Sequence, residues 1–252
     1  MLLKAIDVSS HQPADLTELI AQFDPGLVIV KLYQKIERIT PQGNSEMAQA
    51  HSKAQIASAL ERGREVSGYM WLYANIDPET AIDQAIDLAI EAGLALPFLG
   101  IDVETYVDGS IPDGATIARA VAQCVKRDVE PVIYWSKEMW RRAGSPTDEV
   151  YNIYQWAADY VGFEPDDLYS TDPVVGPRIL LVGHQWTSDP IDQNVFDAFW
   201  HEYSPKTLIG LIETSVAGIR AERHRPKSMR KTVVDRYLVD LELYVSLLKE
   251  QL

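Results

Sequence analysis

The 252-residue sequence has a single cysteine, no long apolar run and far fewer basic than acidic side chains. Cys124 has no second cysteine with which to form an intramolecular disulfide, and its helical surroundings predict a small buried hydrophobic side chain. No run approaches the ~18 apolar residues of a membrane span, so membrane insertion is not expected. The first residues also lack the charged and apolar regions of a secretory signal, which predicts synthesis in a cytoplasm.

The charge is unevenly distributed along the chain, whose formal net charge is −14. Residues 203–252 carry nine Lys and Arg against six Asp and Glu, a balance of +3. Residues 1–202 carry 14 basic against 31 acidic side chains, a balance of −17. Phosphate contacts by basic side chains supply most of the affinity for nucleic acid. We therefore expect no nucleic acid as the main partner of the acidic part.

Strand-like segments alternate with helical ones in the first half of the chain. The predicted strands are 4–9, 27–33, 66–73, 97–104, 131–136, 151–157 and 179–187, and the predicted helices are 47–62, 78–92 and 113–127. Gly63 and Gly93 follow the first two helices in the positions of C-caps. The alternation predicts an α/β protein with a parallel sheet that closes into a barrel. After residue 131 the strands follow one another with little helix between them.

The last fifty residues differ in character from the rest and predict a second part of the chain. Two helical stretches, 206–220 and 228–251, flank a basic joint and together predict an α-helical hairpin over 203–252 beside a barrel over 1–202. The second stretch has an apolar stripe from Val233 to Leu248 at helical spacing. An isolated short hairpin is marginal, so the stripe needs a surface to cover it. We expect this segment to mediate homo-oligomerisation or docking to a virion protein.

Alternation within the predicted strands indicates which side chains point into the barrel. In the segment 99–104 the apolar Leu99 and Ile101 should face the helices, and Asp102 and Glu104 should face inward. The same rule places further polar and aromatic residues inside, late in their strands: Asp7, Lys31, Tyr69, Trp71 and Tyr73. Barrel enzymes carry their active sites at the C-terminal ends of the strands. The pattern therefore predicts one site at that end.

Asp102 and Glu104 are two residues apart on one strand, so their side chains stand on the same face about 7 Å apart at the backbone. Glycosidases need two carboxyl groups with different pKa values, one to donate a proton and one to stabilise positive charge at the sugar carbon. A solvated pair of acids at a strand end is the alternative interpretation of this short motif.

The order of motifs along the chain carries a family resemblance. The motifs are Asp7-Val-Ser-Ser-His-Gln, Ile101-Asp-Val-Glu, Pro131-Val-Ile-Tyr, Gln155-Trp-Ala-Ala-Asp-Tyr, His184-Gln-Trp and Ile191-Asp-Gln-Asn. Over roughly residues 1–200 the sequence resembles the family 25 glycoside hydrolases, the Chalaropsis-type lysozymes of bacteria, fungi and phages. The resemblance implies a flattened TIM-like barrel with five β/α units followed by about three strands.

The same resemblance implies an activity and a set of catalytic residues. Glu104 matches the general acid of the family, and Asp102, Asp7 and Asp192 match its other catalytic carboxylates. The family hydrolyses the β-1,4 bond between N-acetylmuramic acid and N-acetylglucosamine in peptidoglycan, with retention and without a cofactor. Whether a carboxylate or the acetamido group of the substrate attacks the anomeric carbon stays open. We favour the acetamido group, oriented by Asp102.

Other inward side chains are candidates for binding sugar. Five aromatic residues could stack on pyranose rings or simply fill the barrel: Tyr69, Trp71, Tyr73, Tyr134 and Trp156. Gln185 is either structural or a hydrogen-bond donor near the acids. Lys31 is either a partner of the acids or a surface lysine. No His or Cys has convincing metal-ligand spacing, so no metal site is predicted.

Three alternatives to a lysozyme follow from the residues. Four clustered acids could bind Mg²⁺ or Ca²⁺ in a metal-dependent hydrolase. The barrel could be a non-catalytic glycan-binding module, although binding alone does not need four acids. A structural virion component could coexist with the enzyme through residues 203–252. A lysozyme of this composition is typical of a phage endolysin or virion-associated hydrolase, which we expect to act on the cell wall after release or from the virion.

Overall fold

The computed structural model describes residues 2–34, 45–105, 109–146, 153–165, 168 and 181–197. The chain divides into two compact units, Met1–Ala198 and Phe199–Leu252. All of the described residues belong to the first unit. The α-helical hairpin expected over 203–252, and the domain boundary at 202, lie outside the described residues and stay predictions.

Eight strands form a closed barrel in which each strand pairs with its neighbours in sequence and the last pairs with the first. The strands are β1 Leu2–Val8, β2 Leu27–Tyr33, β3 Glu65–Trp71, β4 Leu99–Asp102, β5 Pro131–Ser136, β6 Tyr154–Ala158, β7 Leu181–Thr187 and β8 Gln193–Asp197. Neighbouring strands from β1 to β7 run parallel, whereas β8 is antiparallel to both β7 and β1. The predicted barrel is confirmed.

Five helices follow the first five strands, and none is described between the last three. The helices are α1 Thr17–Phe23, α2 Ser45–Glu61, α3 Pro78–Glu91, α4 Gly114–Lys126 and α5 Lys137–Arg142. Five β/α units followed by three strands are the predicted architecture. The patterns in the sequence did not predict α1, α5 or β8 as separate elements.

The ends of the helices follow from local side-chain chemistry. The Asp77 and Asp113 side chains accept hydrogen bonds from backbone N–H groups in the first turns of α3 and α4, and Ser136 does the same for α5. These bonds satisfy N–H groups that have no partner within the helix. Gly63 and Gly93 have φ values of +67° and +74° just past α2 and α3, a conformation that suits glycine at a helix C-terminus.

Apolar residues form two layers, one between sheet and helices and one inside the barrel. The outer layer includes Leu99, Ile101 and Val103 of the segment after α3, together with apolar residues of the helices. Inside, Gly100 lies against Trp156, and a Cβ at this position would be 2.9 Å from the Tyr69 Cβ atom. The alternation predicted for residues 99–104 is therefore observed, and the missing side chain at position 100 makes room for the aromatic interior.

Two expectations from the opening composition can be compared with the structure. Cys124 is fully buried in α4, and burial raises the pKa of its thiol to about 12, as expected of a small hydrophobic core residue. Within the described residues no helix is both long enough and apolar enough to cross a membrane.

Candidate active site

Four acidic side chains meet at one end of the barrel. Asp102 is the last residue of β4, Glu104 follows two residues later, and Asp7 is the penultimate residue of β1. Because β8 is antiparallel to β1, its N-terminal end lies at this same end, and Asp192 directly precedes it. The backbone N–H of Asp7 donates to the carbonyl oxygen of Asp192 at 3.2 Å. Asp7 and Asp102 are buried, and Glu104 and Asp192 are half-buried.

The acids form two interacting couples, Asp7 with Asp192 and Asp102 with Glu104. Burial raises the pKa of Asp7 well above its usual value, and the charge of Asp192 is the next cause. Burial likewise raises the pKa of Asp102, followed by the charge of Glu104. The pKa values of Glu104 and Asp192 are also raised, chiefly by burial. Two close carboxyl groups resist ionising together, so each couple tends to hold a proton.

Lys31 is a cation that lies close to the four acids. Its side chain is 8% exposed, and its Nζ atom donates to the Gln34 Oε1 atom at 3.0 Å. The Nζ atom also lies 5.2 Å from the ring centre of Tyr69 and 4.9 Å from that of Trp71, within the range of cation–π attraction. The Lys31 charge lowers the pKa of each of the four carboxyl groups. Lys31 is thus a buried positive charge close to the four acids.

Asp7 is held by two amide side chains. The Asn194 Nδ2 atom donates to the Asp7 Oδ2 atom at 3.0 Å, and the Gln185 Nε2 atom donates to the same oxygen at 3.3 Å. The Asn194 Oδ1 atom accepts a hydrogen bond from the Trp156 indole N–H at 2.8 Å. An indole nitrogen can only donate, so this contact fixes which end of the Asn194 amide faces Asp7.

The Gln185 amide is oriented in a similar way by two tyrosine hydroxyl groups. Tyr134 donates to the Gln185 Oε1 atom, and so does Tyr160, at 3.2 Å. With its oxygen occupied by two donors, the Gln185 amide presents its N–H₂ group to Asp7. The Asp7 carboxyl group consequently has a defined orientation, as a preorganised site requires.

The predicted aromatic residues differ in how much surface they offer to a ligand. Trp156 and Tyr73 are 1% and 2% exposed. The Trp156 ring packs edge-on against Tyr69 inside the barrel. Trp71 is half-buried and stacks on Tyr73 with ring centres 5.4 Å apart. Trp71 therefore presents more surface for a sugar than the rings packed beneath it.

A cleft of about 500 Å³ opens beside the acids at the ends of β4, β5 and β6. Its lining consists of Glu104, Thr105, Tyr134, Ser136, Lys137, Glu138, Met139, Ala158, Asp159 and Tyr160. Glu104 is the acid that belongs to both the cluster and the cleft. A concave site with a few convergent polar groups and carboxyl groups of raised pKa is typical of an active site.

Two residues of this site were not assigned a role from sequence. Asn194 was noted as part of the last motif, and Tyr160 as the end of the motif that begins in β6, but neither was predicted to contact Asp7 or Gln185. A signal for Tyr160 was available, because it continues the inward alternation of Trp156 and Ala158 past the end of β6.

An α/β barrel with paired carboxyl groups at its strand ends has the arrangement that glycosidases use. The fold is similar to GHIP, a glycosyl hydrolase 25 of Streptococcus pneumoniae participating in host cell invasion, with a TM-score of 0.57. Identity is 17%, over 77% of this chain and 87% of the other.

Two modular proteins are also similar. The autolysin LytC from Streptococcus pneumoniae, in complex with a synthetic peptidoglycan ligand, has a TM-score of 0.52 and 19% identity, over 78% of this chain and 47% of its own. The Cpl-1 endolysin, complexed with a peptidoglycan analogue, has a TM-score of 0.54 and 16% identity. The match covers 77% of this chain and 53% of the endolysin chain. This chain thus spans about half the length of each. No protein-family model and no curated protein sequence matches the chain. It has the barrel fold of the glycosyl hydrolase 25 proteins.

Proposed function

We propose that this protein is a lysozyme of the family 25 type, which hydrolyses the β-1,4 bond between N-acetylmuramic acid and N-acetylglucosamine in peptidoglycan. The observation that carries the proposal is the Asp102–Glu104 couple at the end of β4. Asp102 is buried with an Oδ1 atom that has no hydrogen-bond partner among the described residues, and Glu104 opens into the cleft. The peptidoglycan ligands bound to LytC and Cpl-1 support this substrate class.

Glu104 serves as the general acid. Burial raises its pKa above the usual value, which keeps the carboxyl group protonated to higher pH than a solvated glutamate. Its position on the wall of the cleft gives it access to the oxygen of the bond between two sugars. During cleavage the proton of Glu104 passes to this oxygen as the bond from it to the anomeric carbon breaks.

Asp102 serves to orient the acetamido group of the substrate. The unpartnered Oδ1 atom accepts a hydrogen bond from the acetamido N–H group, and the acetamido oxygen then forms a bond to the anomeric carbon. A water molecule subsequently attacks that carbon, releases the acetamido oxygen and gives its proton to Glu104. Two displacements at one carbon retain its configuration. Direct attack by a carboxylate would instead leave a sugar covalently attached to the protein, which mass spectrometry detects.

The Asp7–Asp192 couple supplies negative charge near the reacting carbon. A fixed charge stabilises the positive charge that develops in the transition state without any reorganisation cost at that moment. The amide groups of Asn194 and Gln185 hold Asp7 in one orientation, and this fixed orientation is what such a role requires.

The products of digestion test the proposal directly. Incubation with purified peptidoglycan should create new reducing ends on N-acetylmuramic acid, detected as muramicitol after borohydride reduction. New reducing ends on N-acetylglucosamine, or new free amino groups, would contradict the proposal, because they mark a glucosaminidase or an amidase.

Full activity is expected in excess EDTA. Among the described residues no group of three or more His, Cys, Asp or Glu side chains is arranged to hold a metal ion, and loss of activity in EDTA would favour a metal-dependent hydrolase.

Replacement of Lys31 by Met should shift the pH dependence of hydrolysis. The Met side chain keeps the length but removes the charge that lowers the pKa of all four carboxyl groups. Those pKa values should rise, so both limbs of the profile of kcat/KM against pH should move to higher pH. Lys31→Arg keeps the charge and should leave the profile in place. A folded Met variant with the wild-type profile would show that Lys31 does not set the ionisation of the acids.

A further inference from the structure

Glu104 lies just past the end of β4, in a segment that is no longer part of the sheet. The backbone N–H of Val103 donates to the Tyr134 carbonyl oxygen at 2.9 Å, which ties this segment to β5. Among the described residues, neither Glu104 nor Thr105 makes a backbone hydrogen bond. The sheet therefore holds the chain up to Val103, and the position of Glu104 also depends on what holds the residue after it.

The Thr105 side chain is held by two residues of α5. The Arg142 Nη1 atom donates to the Thr105 Oγ1 atom at 2.6 Å, and the Thr105 hydroxyl group donates in turn to the Met139 Sδ atom at 3.2 Å. The Arg142 Nη2 atom also donates to the Gly109 carbonyl oxygen at 2.7 Å. One guanidinium group thus binds the chain after β4 at two points, and its rigid, planar set of donors fixes the geometry of both contacts.

Arg142 extends from a well-anchored helix. Its neighbour Ala143 is buried, and Trp140 packs against the hydrophobic core. At the start of the helix, the Ser136 side chain accepts a hydrogen bond from the Met139 backbone N–H at 3.3 Å. Because α5 is anchored at both ends, the Arg142 guanidinium group extends from a backbone of fixed position.

We propose that Arg142 is a positioning residue for the general acid, acting through Thr105. The inference rests on the proposed function and adds a residue that belongs neither to the acid cluster nor to the lining of the cleft. Glu104 must point at the oxygen of the cleaved bond, and a displacement of about 1 Å can lower a rate by about a hundredfold. With Arg142 in place, Glu104 lies between two fixed points, Val103 before it and Thr105 after it.

Arg142 acts on Glu104 through position and not through charge. Burial raises the pKa of Glu104, and the charges that alter this pKa are those of Lys31 and Asp192. Arg142 is exposed, so solvent screens its charge. A Glu104 side chain that is held less firmly gains contact with water, which lowers its pKa, whereas removal of a nearby positive charge would raise that pKa. The pH dependence of hydrolysis therefore distinguishes the two effects.

Arg142→Gln and Arg141→Gln are a matched pair of variants. Both remove one positive charge from the exposed last turn of α5, but of the two only Arg142 makes a side-chain hydrogen bond to a described residue. The substrate is a soluble hexasaccharide of alternating N-acetylglucosamine and N-acetylmuramic acid.

With this substrate, Arg142→Gln should lower kcat by about tenfold and leave KM within about twofold of the wild-type value. The basic limb of its profile of kcat/KM against pH should move to lower pH, because this limb reports the pKa of the general acid. Arg141→Gln should match the wild type in kcat, in KM and in the position of the basic limb.

Variants of Thr105 test the route through its hydroxyl group. Thr105→Val keeps the shape but removes the hydroxyl group, so it should lower kcat as Arg142→Gln does. Thr105→Ser keeps the hydroxyl group and should retain most of the activity. In the double variant of Arg142→Gln and Thr105→Val, the fall in kcat should be smaller than the product of the two separate effects, because both changes remove the same contact. Separate effects that multiply would contradict this route.

Three results would overturn the proposal: a wild-type kcat in Arg142→Gln, an equal effect of Arg141→Gln, or a basic limb that stays in place or moves to higher pH. A rise in KM with unchanged kcat would also overturn it, because Arg142 would then shape the cleft and not the position of Glu104. The proposed function is decided separately, by the products that the wild type releases from peptidoglycan. Thermal denaturation verifies that every variant is folded.

Discussion

Glu104→Gln should reduce the rate of peptidoglycan hydrolysis by about 10²–10⁴-fold, the usual effect of removing a general acid. Glutamine has nearly the same shape as glutamic acid but has no proton to give to the leaving oxygen. Glu104 is half-buried and burial raises its pKa, so replacement by a neutral amide should not destabilise the fold. Turbidity clearing of purified cell walls measures the rate, and circular dichroism verifies the fold.

The matched control is Glu91→Gln. Glu91 is the last residue of α3 and forms an exposed ion pair with Lys53, which contributes little to stability. This variant should clear cell walls at the wild-type rate. Near wild-type activity of Glu104→Gln would show that Glu104 is not the general acid, and it would contradict the mechanism proposed for this site.

Asp102→Asn should abolish most of the activity and at the same time raise the melting temperature at neutral pH. The amide cannot serve as the acceptor and negative charge that the acetamido group needs. Burial and three neighbouring acids raise the pKa of Asp102 well above its usual value, which means that the folded protein disfavours the ionised form. Removing that charge should raise Tm by about 2–4 °C for each kcal/mol of relieved free energy.

The pH dependence of this gain gives a second measurement. A carboxyl group whose pKa is raised in the folded state contributes stability at low pH and loses it as pH rises through the folded-state pKa. The Tm difference between Asp102→Asn and the wild type should therefore be small at acidic pH and grow toward neutral pH. Asp87→Asn is the control, because Asp87 is exposed and paired with Arg127. Similar increases in Tm for both variants, or a lower Tm for Asp102→Asn, would contradict the claim that the folded protein disfavours the ionised form of Asp102.

The barrel could be predicted because its long elements have clear periodicity and clear ends. The predicted bounds of β2 and β5 agree with the observed ones, and α3 differs by one residue at its C-terminal end. The helices α1 and α5 have only seven and six residues, too few for a helical period to stand out, and β8 has five. The antiparallel direction of β8 depends on its pairing with β1 and β7, which no local pattern indicates.

The positions of Asp7, Asp102 and Glu104 at strand ends followed from alternation along the strands. Asp192 was implied only by the family resemblance, and the support of Asp7 was not predicted. Asn194 and Trp156 contact each other across the barrel, and Tyr160 reaches Gln185 from β6 to β7. Such contacts depend on strand register and on side-chain conformation, and they join residues that are far apart in sequence. The exposure of Tyr160, which distinguishes it from the buried Trp156, is also a property of the folded barrel and not of the motif.

The pairing of β8 with β1 has a consequence for when the site can exist during folding. The Asn194–Asp7 hydrogen bond joins residues 187 positions apart, and Asp192 reaches Asp7 only when β8 has inserted between β7 and β1. Such distant contacts form late, because the entropy of closing a long loop must be overcome first. A barrel still lacking its final strand has Asp102 and Glu104 but neither Asp192 nor the Asn194 support of Asp7. The four acids therefore come together only when β8 pairs with β1 and β7 and closes the barrel.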